Sequence, residues 1–284
     1  MVNNIKTVIL LGILTVFLIF IGRIIGGQNG LYLAMVIALL VDGGSYFFSD
    51  KIALSVSGAK PLTRSQAPQI YTIVRNLSDK FGIPMPKLYI TPELQANAFA
   101  TGRNPNHASI AITAGLLHLL PLEEIRAVLS HEMSHIKNRD VLITSITAVL
   151  AGAIAFLGNL SWYGGFNSSQ EDRKSENGIV SFLLILLTPL AATLIQLAIS
   201  REREYEADET GAKAIGSGEP LALALSDINN STRKRPMVGI NPAFSSLYIS
   251  NPLGNTNGIF LNLFSTHPPL KERISRLKGM KFSE

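Results

Sequence analysis

Hydrophobic positions along this chain gather into four long runs. The first, residues 7–26 (TVILLGILTVFLIFIGRIIG), carries one charge, Arg23 near its end. The second, residues 31–48 (LYLAMVIALLVDGGSYFF), contains Asp42. Residues 141–160 (VLITSITAVLAGAIAFLGNL) are uncharged throughout, and so are residues 179–200, which hold Pro189 and Gln196. A helix crossing a bilayer core needs about 20 mostly apolar residues. The third and fourth runs satisfy this, and the first does so if Arg23 snorkels to the headgroups. The second is the weakest, because an aspartate in lipid is costly. A cleaved signal peptide competes for the first run, but no small-x-small cleavage site follows it cleanly. Buried core helices compete for all four, yet uncharged runs this long exceed ordinary core helices.

Between the runs the pattern changes. Residues 65–83 (SQAPQIYTIVRNLSDKFGI) predict a helix capped near Ser65 and ended by Gly82. PKLYIT, residues 86–91, predicts a short strand, and residues 96–113 (ANAFATGRNPNHASIAIT) two strands about a turn at GRNPN. Residues 121–138 (PLEEIRAVLSHEMSHIKN) predict a helix with Pro121 in its first turn and Glu123 and Glu124 on its N-terminal dipole. The fold class expected is α+β, mostly helical, with a small β-sheet in a multi-pass membrane protein. Its parts are a transmembrane hairpin at 1–48, half of a soluble domain at 49–140, a second transmembrane hairpin at 141–200, and the other half at 201–284. Residues 161–178, polar and rich in Gly and Ser, form the exposed connector of that second hairpin.

Composition agrees with the pattern. Charged residues make up 16% of the chain, against about 25% in typical soluble domains, and mean hydropathy is +0.28. The net charge of +5 is spread without a long cationic run, which favours anionic lipid headgroups over nucleic acid as the counter-charge. Lys51, Lys137, Arg139, Arg201 and Arg203 flank the apolar runs, and the positive-inside rule places the two larger soluble pieces in the cytoplasm. Arg23 counts slightly against that orientation. There is no cysteine. Any metal must therefore be held by histidine and carboxylate.

Such donors occur in VLSHEMSHIKNRD. On a helix, His131 and His135 are four residues apart and share one face. They can grip one zinc ion, with Glu132 on the adjacent edge to take a proton from water. A third ligand is needed. Glu204 in SREREYEADETGA is a candidate, and Asp208, four residues on, can hydrogen-bond the free ring nitrogen of a metal-bound histidine. Ala207 and Gly211 would let their helix come close. A solvated charged face is the equal alternative from spacing alone. Topology favours the ligand reading, since a hairpin of two spans returns Glu204 to the side and depth of the histidines.

The motifs GGSYFFSDKIAL, ANAFATG, TAGLLHLL, VLSHEMSHIKNRD, SREREYEADETGA and THPPLKERI occur in the order found in the HtpX family of membrane-bound zinc endopeptidases, related to the CAAX prenyl proteases. The chain resembles that family along most of its length. The resemblance implies a zincin-like, gluzincin-type catalytic domain with one Zn2+ per chain. In it Glu204 is the third ligand beside His131 and His135, Asp208 supports a histidine, and Glu132 is catalytic. It further implies a substrate-binding edge strand at Ala96, Asn97, Ala98, Phe99 and Ala100. For His267 it leaves three roles open, an oxyanion contact, a helix cap or a competing ligand. Arg273 is as readily structural, and His107 and His118 match no catalytic position. Asp42 departs from the family pattern, so the second span either ends near Val41 or turns Asp42 to a polar cavity.

The function expected is zinc-dependent cleavage of misfolded or damaged membrane proteins at the cytoplasmic face of the inner (plasma) membrane, a quality-control and stress-response role. The partners expected are membrane lipids and polypeptides, not nucleic acid. Selective processing of defined or lipidated peptides is the alternative, and a catalytically silent scaffold is a third, opposed by the intact Glu132.

Overall fold

Gly27, at φ 57, breaks the first helix, α1 (Val2–Val56), into two arms. This left-handed conformation is open to glycine at no steric cost. Thr15 Oγ1 on the first arm donates to Asp42 Oδ2 on the second, at 2.5 Å. The helix that carries Asp42 continues past Val41 to Val56, and a hydroxyl from the opposite arm supplies the carboxyl group with a polar partner. The structure, a computed structural model, describes residues 2–164, 201–237, 242–253 and 268–282.

Beyond α1 the order is β1 (Lys60–Pro61), α2 (Pro68–Phe81), β2 (Lys87–Thr91), β3 (Ala98–Gly102), β4 (Ala108–Thr113), α3 (Ala114–Leu119), α4 (Leu122–Lys137), α5 (Asp140–Gly164), α6 (Arg201–Ile215), α7 (Glu219–Lys234) and α8 (Leu270–Gly279), with 3-10 turns at Pro105–His107 and Pro242–Leu247. The fold is α+β and mostly helical. Helix α2 begins at Pro68 with Ala67 before it, not at Ser65. Gln66 Oε1 accepts from the Thr63 amide and hydroxyl in a turn of its own, and proline suits a first helical position. Gly82, at φ 64, closes the helix as expected.

The sheet order is β1-β2-β4-β3, with β2 and β4 parallel and the outer pairs antiparallel. β3 is thus an edge strand. The main core lies between this sheet and helices α2, α4 and α7, where Val74, Leu77, Ile110, Leu129, Leu225 and Ile228 are buried. A second packing zone joins α5 to α1 through Leu14, Leu142, Ile146 and Leu150.

Elsewhere the arms of α1 turn large apolar side chains outward, with Val16 69% and Leu40 70% exposed. The segment Gly26–Val56 is long and apolar enough to cross a membrane, and Leu11–Ile24 and Asp140–Gly152 are shorter apolar helices. The fourth apolar run and the connector from residue 165 onward lie outside the described residues.

Candidate active site

Helix α4 presents His131 and Glu132 inward, both buried, with His135 one turn on at the cavity edge. Helix α6 meets it where side chains are smallest. Ala207 is fully buried, and a Cβ on Gly211 would stand 3.0 Å from the His131 backbone nitrogen. Ser130 Oγ donates to the Gly211 carbonyl at 2.8 Å, pinning the two helices together. This close approach carries Glu204 and Asp208 to the histidines.

The Nε2 atoms of His131 and His135 lie 3.2 Å apart. Glu204 places Oε2 3.9 Å from the first and Oε1 3.5 Å from the second. Donors bound at 2.0–2.1 Å around a tetrahedral zinc stand about 3.3 Å from one another, so the triangle fits such an ion. The far ring nitrogens are held by carboxylates. Asp208 Oδ1 stands 3.0 Å from His131 Nδ1, and Asp140 Oδ2 stands 3.0 Å from His135 Nδ1. With each Nδ1 facing a carboxylate, the two Nε2 atoms are left towards Glu204, as metal-binding imidazoles require.

Asp140 was not singled out from the sequence. It follows His135 by five residues, which on an unbroken helix is the wrong spacing. The chain breaks at Arg139, whose φ of 61 is the one positive value outside glycine among the described residues. That turn swings Asp140 back towards His135 as it opens α5. Arg203, expected at the headgroups, is instead buried, with Nη1 3.8 Å from Asp140 Oδ1.

Arg273, reaching in from α8, is also buried. Its Nε and Nη2 donate to Asp208 at 2.8 and 2.7 Å, and its Nη1 donates to the Ile249 carbonyl at 3.1 Å and lies 3.4 Å from Glu204 Oε2. It therefore joins two carboxylates of the cluster. Burial opposes its charge, but Asp208, Glu204 and Glu132 outweigh that and raise its pKa.

Burial, aided by the charge of Glu204, pushes the Glu132 carboxyl up to about 7, against the pull of His135 and a hydrogen bond from the Ala100 amide. Burial lowers His131. Burial also works against a charged His135, but Asp140, Glu204 and Glu132 overcome it and raise the value to about 9. A cavity of about 30 Å³ lies against His131, Glu132, His135, Glu204 and Ala100, room for one or two waters.

The rest of the expected strand is partly engaged. Ala96, Asn97, Ala98, Phe99 and Ala100 are all buried. The Ile249 amide donates to the Ala98 carbonyl at 3.0 Å, and Tyr248 bridges to Phe99 with ring centroids 5.0 Å apart. His267 lies outside the described residues. His107 pairs with Asn104 on an exposed turn, and neither it nor the exposed His118 lines the cavity.

Residues 64–281 match the sequence profile of peptidase family M48. The chain is 48% identical over 281 residues to a protease HtpX homolog of Pelotomaculum thermopropionicum, covering 98% of this chain and 99% of the relative. It is 49% identical to one of Pyrococcus furiosus, covering 96% and 94%. Among solved structures it resembles S. mikatae Ste24p with a TM-score of 0.52 at 21% identity, over 97% of this chain and 65% of that one, a likeness of fold.

Proposed function

The chain belongs to peptidase family M48 and is a metalloprotease, and from that premise we propose that it is a zinc-dependent endopeptidase working at the cytoplasmic face of the inner membrane. One observation carries the reading, the convergence of donor atoms from His131, His135 and Glu204 beside the buried carboxylate of Glu132. When bound, the metal polarises a peptide carbonyl and acidifies water. The chain's own residues do the rest. Asp208 and Asp140 orient the two imidazoles. Glu132, held by the Ala100 amide, takes the proton of the attacking water and passes it to the departing amine.

Polypeptides are the substrates of a protease. An extended one adds to the edge of β3, exchanging the Ile249 amide on Ala98 for its own, through backbone bonds that ignore side-chain identity. We place the chain in the membrane through hairpins at 1–48 and 141–200, with 49–140 and 201–284 as the halves of one cytoplasmic catalytic domain. Support comes from the Gly26–Val56 helix, whose most apolar window is only 17% buried, and from exposed Lys51, Lys137, Arg139 and Arg201 beside the apolar segments. Broad specificity beside a lipid surface fits clearance of misfolded or damaged membrane proteins.

Two variants test the site. Glu132→Gln is expected to keep about one zinc per chain and to lose about 10²–10⁴-fold in cleavage of an unfolded reporter. Parental activity in this variant would overturn the mechanism. Glu204→Ala is expected to lose its zinc, and full occupancy would remove Glu204 from the ligand set. Comparing membrane proteomes with parent and Glu132→Gln chains separates quality control from selective processing, which a single accumulating protein would favour.

A further inference from the structure

A cavity of about 470 Å³ lies away from the metal-ligand cluster, between the end of α1, strand β2 and the turn that leads into β4. Each of the three elements contributes a cation, Lys51, Lys87 and Arg103 respectively. Asp50 is the one acid of its lining, so with histidine neutral the wall carries a net charge of three minus one, +2. Among the described residues no carboxylate lies within ion-pair distance of these cations. Two of them rest on rings instead. Arg103 stands over Phe47 at 5.6 Å from its centroid, and Lys51 over Phe48 at 5.3 Å. Cations held on ring faces keep their charge available to an anion.

The position of the cavity says which anion. The apolar helix begins at Gly26, and at 1.5 Å per residue it crosses a hydrocarbon core of about 30 Å in roughly 20 residues. That crossing ends at Phe47 and Phe48, which are 55% and 51% exposed and occupy the level where aromatic side chains meet headgroups. Lys51 follows one turn later. Exposed Leu39 and Leu40 lie below it on the same helix. The basic cavity thus sits at phosphate depth, above an apolar surface fit for acyl chains.

We propose that this cavity is a binding site for the headgroup of an anionic phospholipid, its phosphate held by Lys51, Lys87 and Arg103 and its chains laid along the second arm of α1. The site ties the sheet that carries β3 to the bilayer surface. It rests on the membrane placement proposed above and not on the metal cluster.

The full-length chain in detergent tests it. At roughly tenfold excess over the dissociation constant, phosphatidylglycerol should raise the melting midpoint by about 3 °C more than phosphatidylcholine does. The triple variant Lys51→Gln, Lys87→Gln, Arg103→Gln should lose that difference while cleaving a soluble reporter like the parent. A control with Lys80, Lys213 and Lys278 changed to Gln should keep it. Native mass spectrometry of the parent should find phosphatidylglycerol retained, which covers the case of a triple variant that folds poorly. Equal effects of the two lipids on the parent, or an undiminished difference in the triple variant, would overturn the site. So would inorganic phosphate reproducing the whole effect, since the ligand would then be a soluble anion. Alkaline carbonate extraction reads the membrane placement separately. A chain released by carbonate refutes that placement, and a retained chain with no lipid preference refutes only the site.

Discussion

An imidazole grips a metal with one nitrogen and is aimed by whatever holds the other. Asp208 and Asp140 stand 3.0 Å from the outer nitrogens of the two histidines, placed for this role, and Arg273 holds Asp208 with two donors. Removing an outer partner of this kind costs about 10–100-fold in metal affinity. Asp140, with Glu204 and Glu132, also sets the pH response of the metal-free chain at His135. His135, raised to about 9, keeps its proton at neutral pH, and a metal must displace it. Zinc affinity is therefore expected to rise about tenfold per pH unit from neutrality towards pH 9 and then level off, measured by titration against a zinc buffer. A flat profile would refute the coupling. The sign for folding is opposite. A folded pKa above the ordinary 6.5 stabilises the metal-free chain fully below pH 6.5, and this contribution is lost as pH rises through 9. The pairing of His131 with His135 was legible from helical spacing, which puts residues four apart on one face, whereas for Glu204 and Asp208 spacing left a solvated face equally open and the family resemblance decided. Asp140 was not legible, because only the left-handed Arg139 brings a fifth residue back. Arg273 was visible as part of a motif, but its reach of 65 residues to Asp208 is tertiary and leaves no local trace.

Between helices the decisive feature is the absence of a side chain. At Gly211 a methyl group would stand 3.0 Å from the His131 nitrogen, so the approach of α6 to α4 leaves no room for a side chain larger than a methyl group. Gly211→Val is expected to cost about 1–3 kcal/mol of stability and, by tilting Glu204 and Asp208 away, to lower zinc affinity about tenfold or more. Gly211→Ala, needing a shift of only tenths of an ångström, should be much milder. Melting curves and zinc titrations on both variants check this, and a Val variant with parental zinc affinity would show that the contact does not position the ligands. The small residues of EADETGA foretold this approach. Strands β2, β3 and β4 and helix α4 were equally legible from alternation and from proline and glycine punctuation, whereas the two-residue β1 was not. The true start of α2 was not, since the Thr63–Gln66 turn competes with Ser65 for the capping role. Nor was the engagement of β3 by Ile249, which comes from a segment about 150 residues away.

Along the whole sequence, apolar runs and polar pieces alternate, and the candidate metal ligands come from both sides of the third and fourth runs. A reporter fused at Gln170 is expected to read as non-cytoplasmic, and one fused near Lys60 as cytoplasmic. A cytoplasmic signal at Gln170 would refute the second hairpin. The mostly helical α+β class and the apolar helix Gly26–Val56 were legible because a long, nearly uncharged run leaves few other readings. The fate of Asp42 was not, because Thr15, its partner, lies 27 residues earlier in another run. The order of the pieces also has a consequence in time. His131, His135 and Asp140 leave the ribosome well before Glu204 and Asp208, and Arg273 follows later still. At ordinary synthesis rates the gap between the first histidine and the arginine is on the order of ten seconds. With the proposed ligand set, a chain still being made lacks its third ligand until Glu204 emerges, so metal-dependent cleavage is expected only after that point.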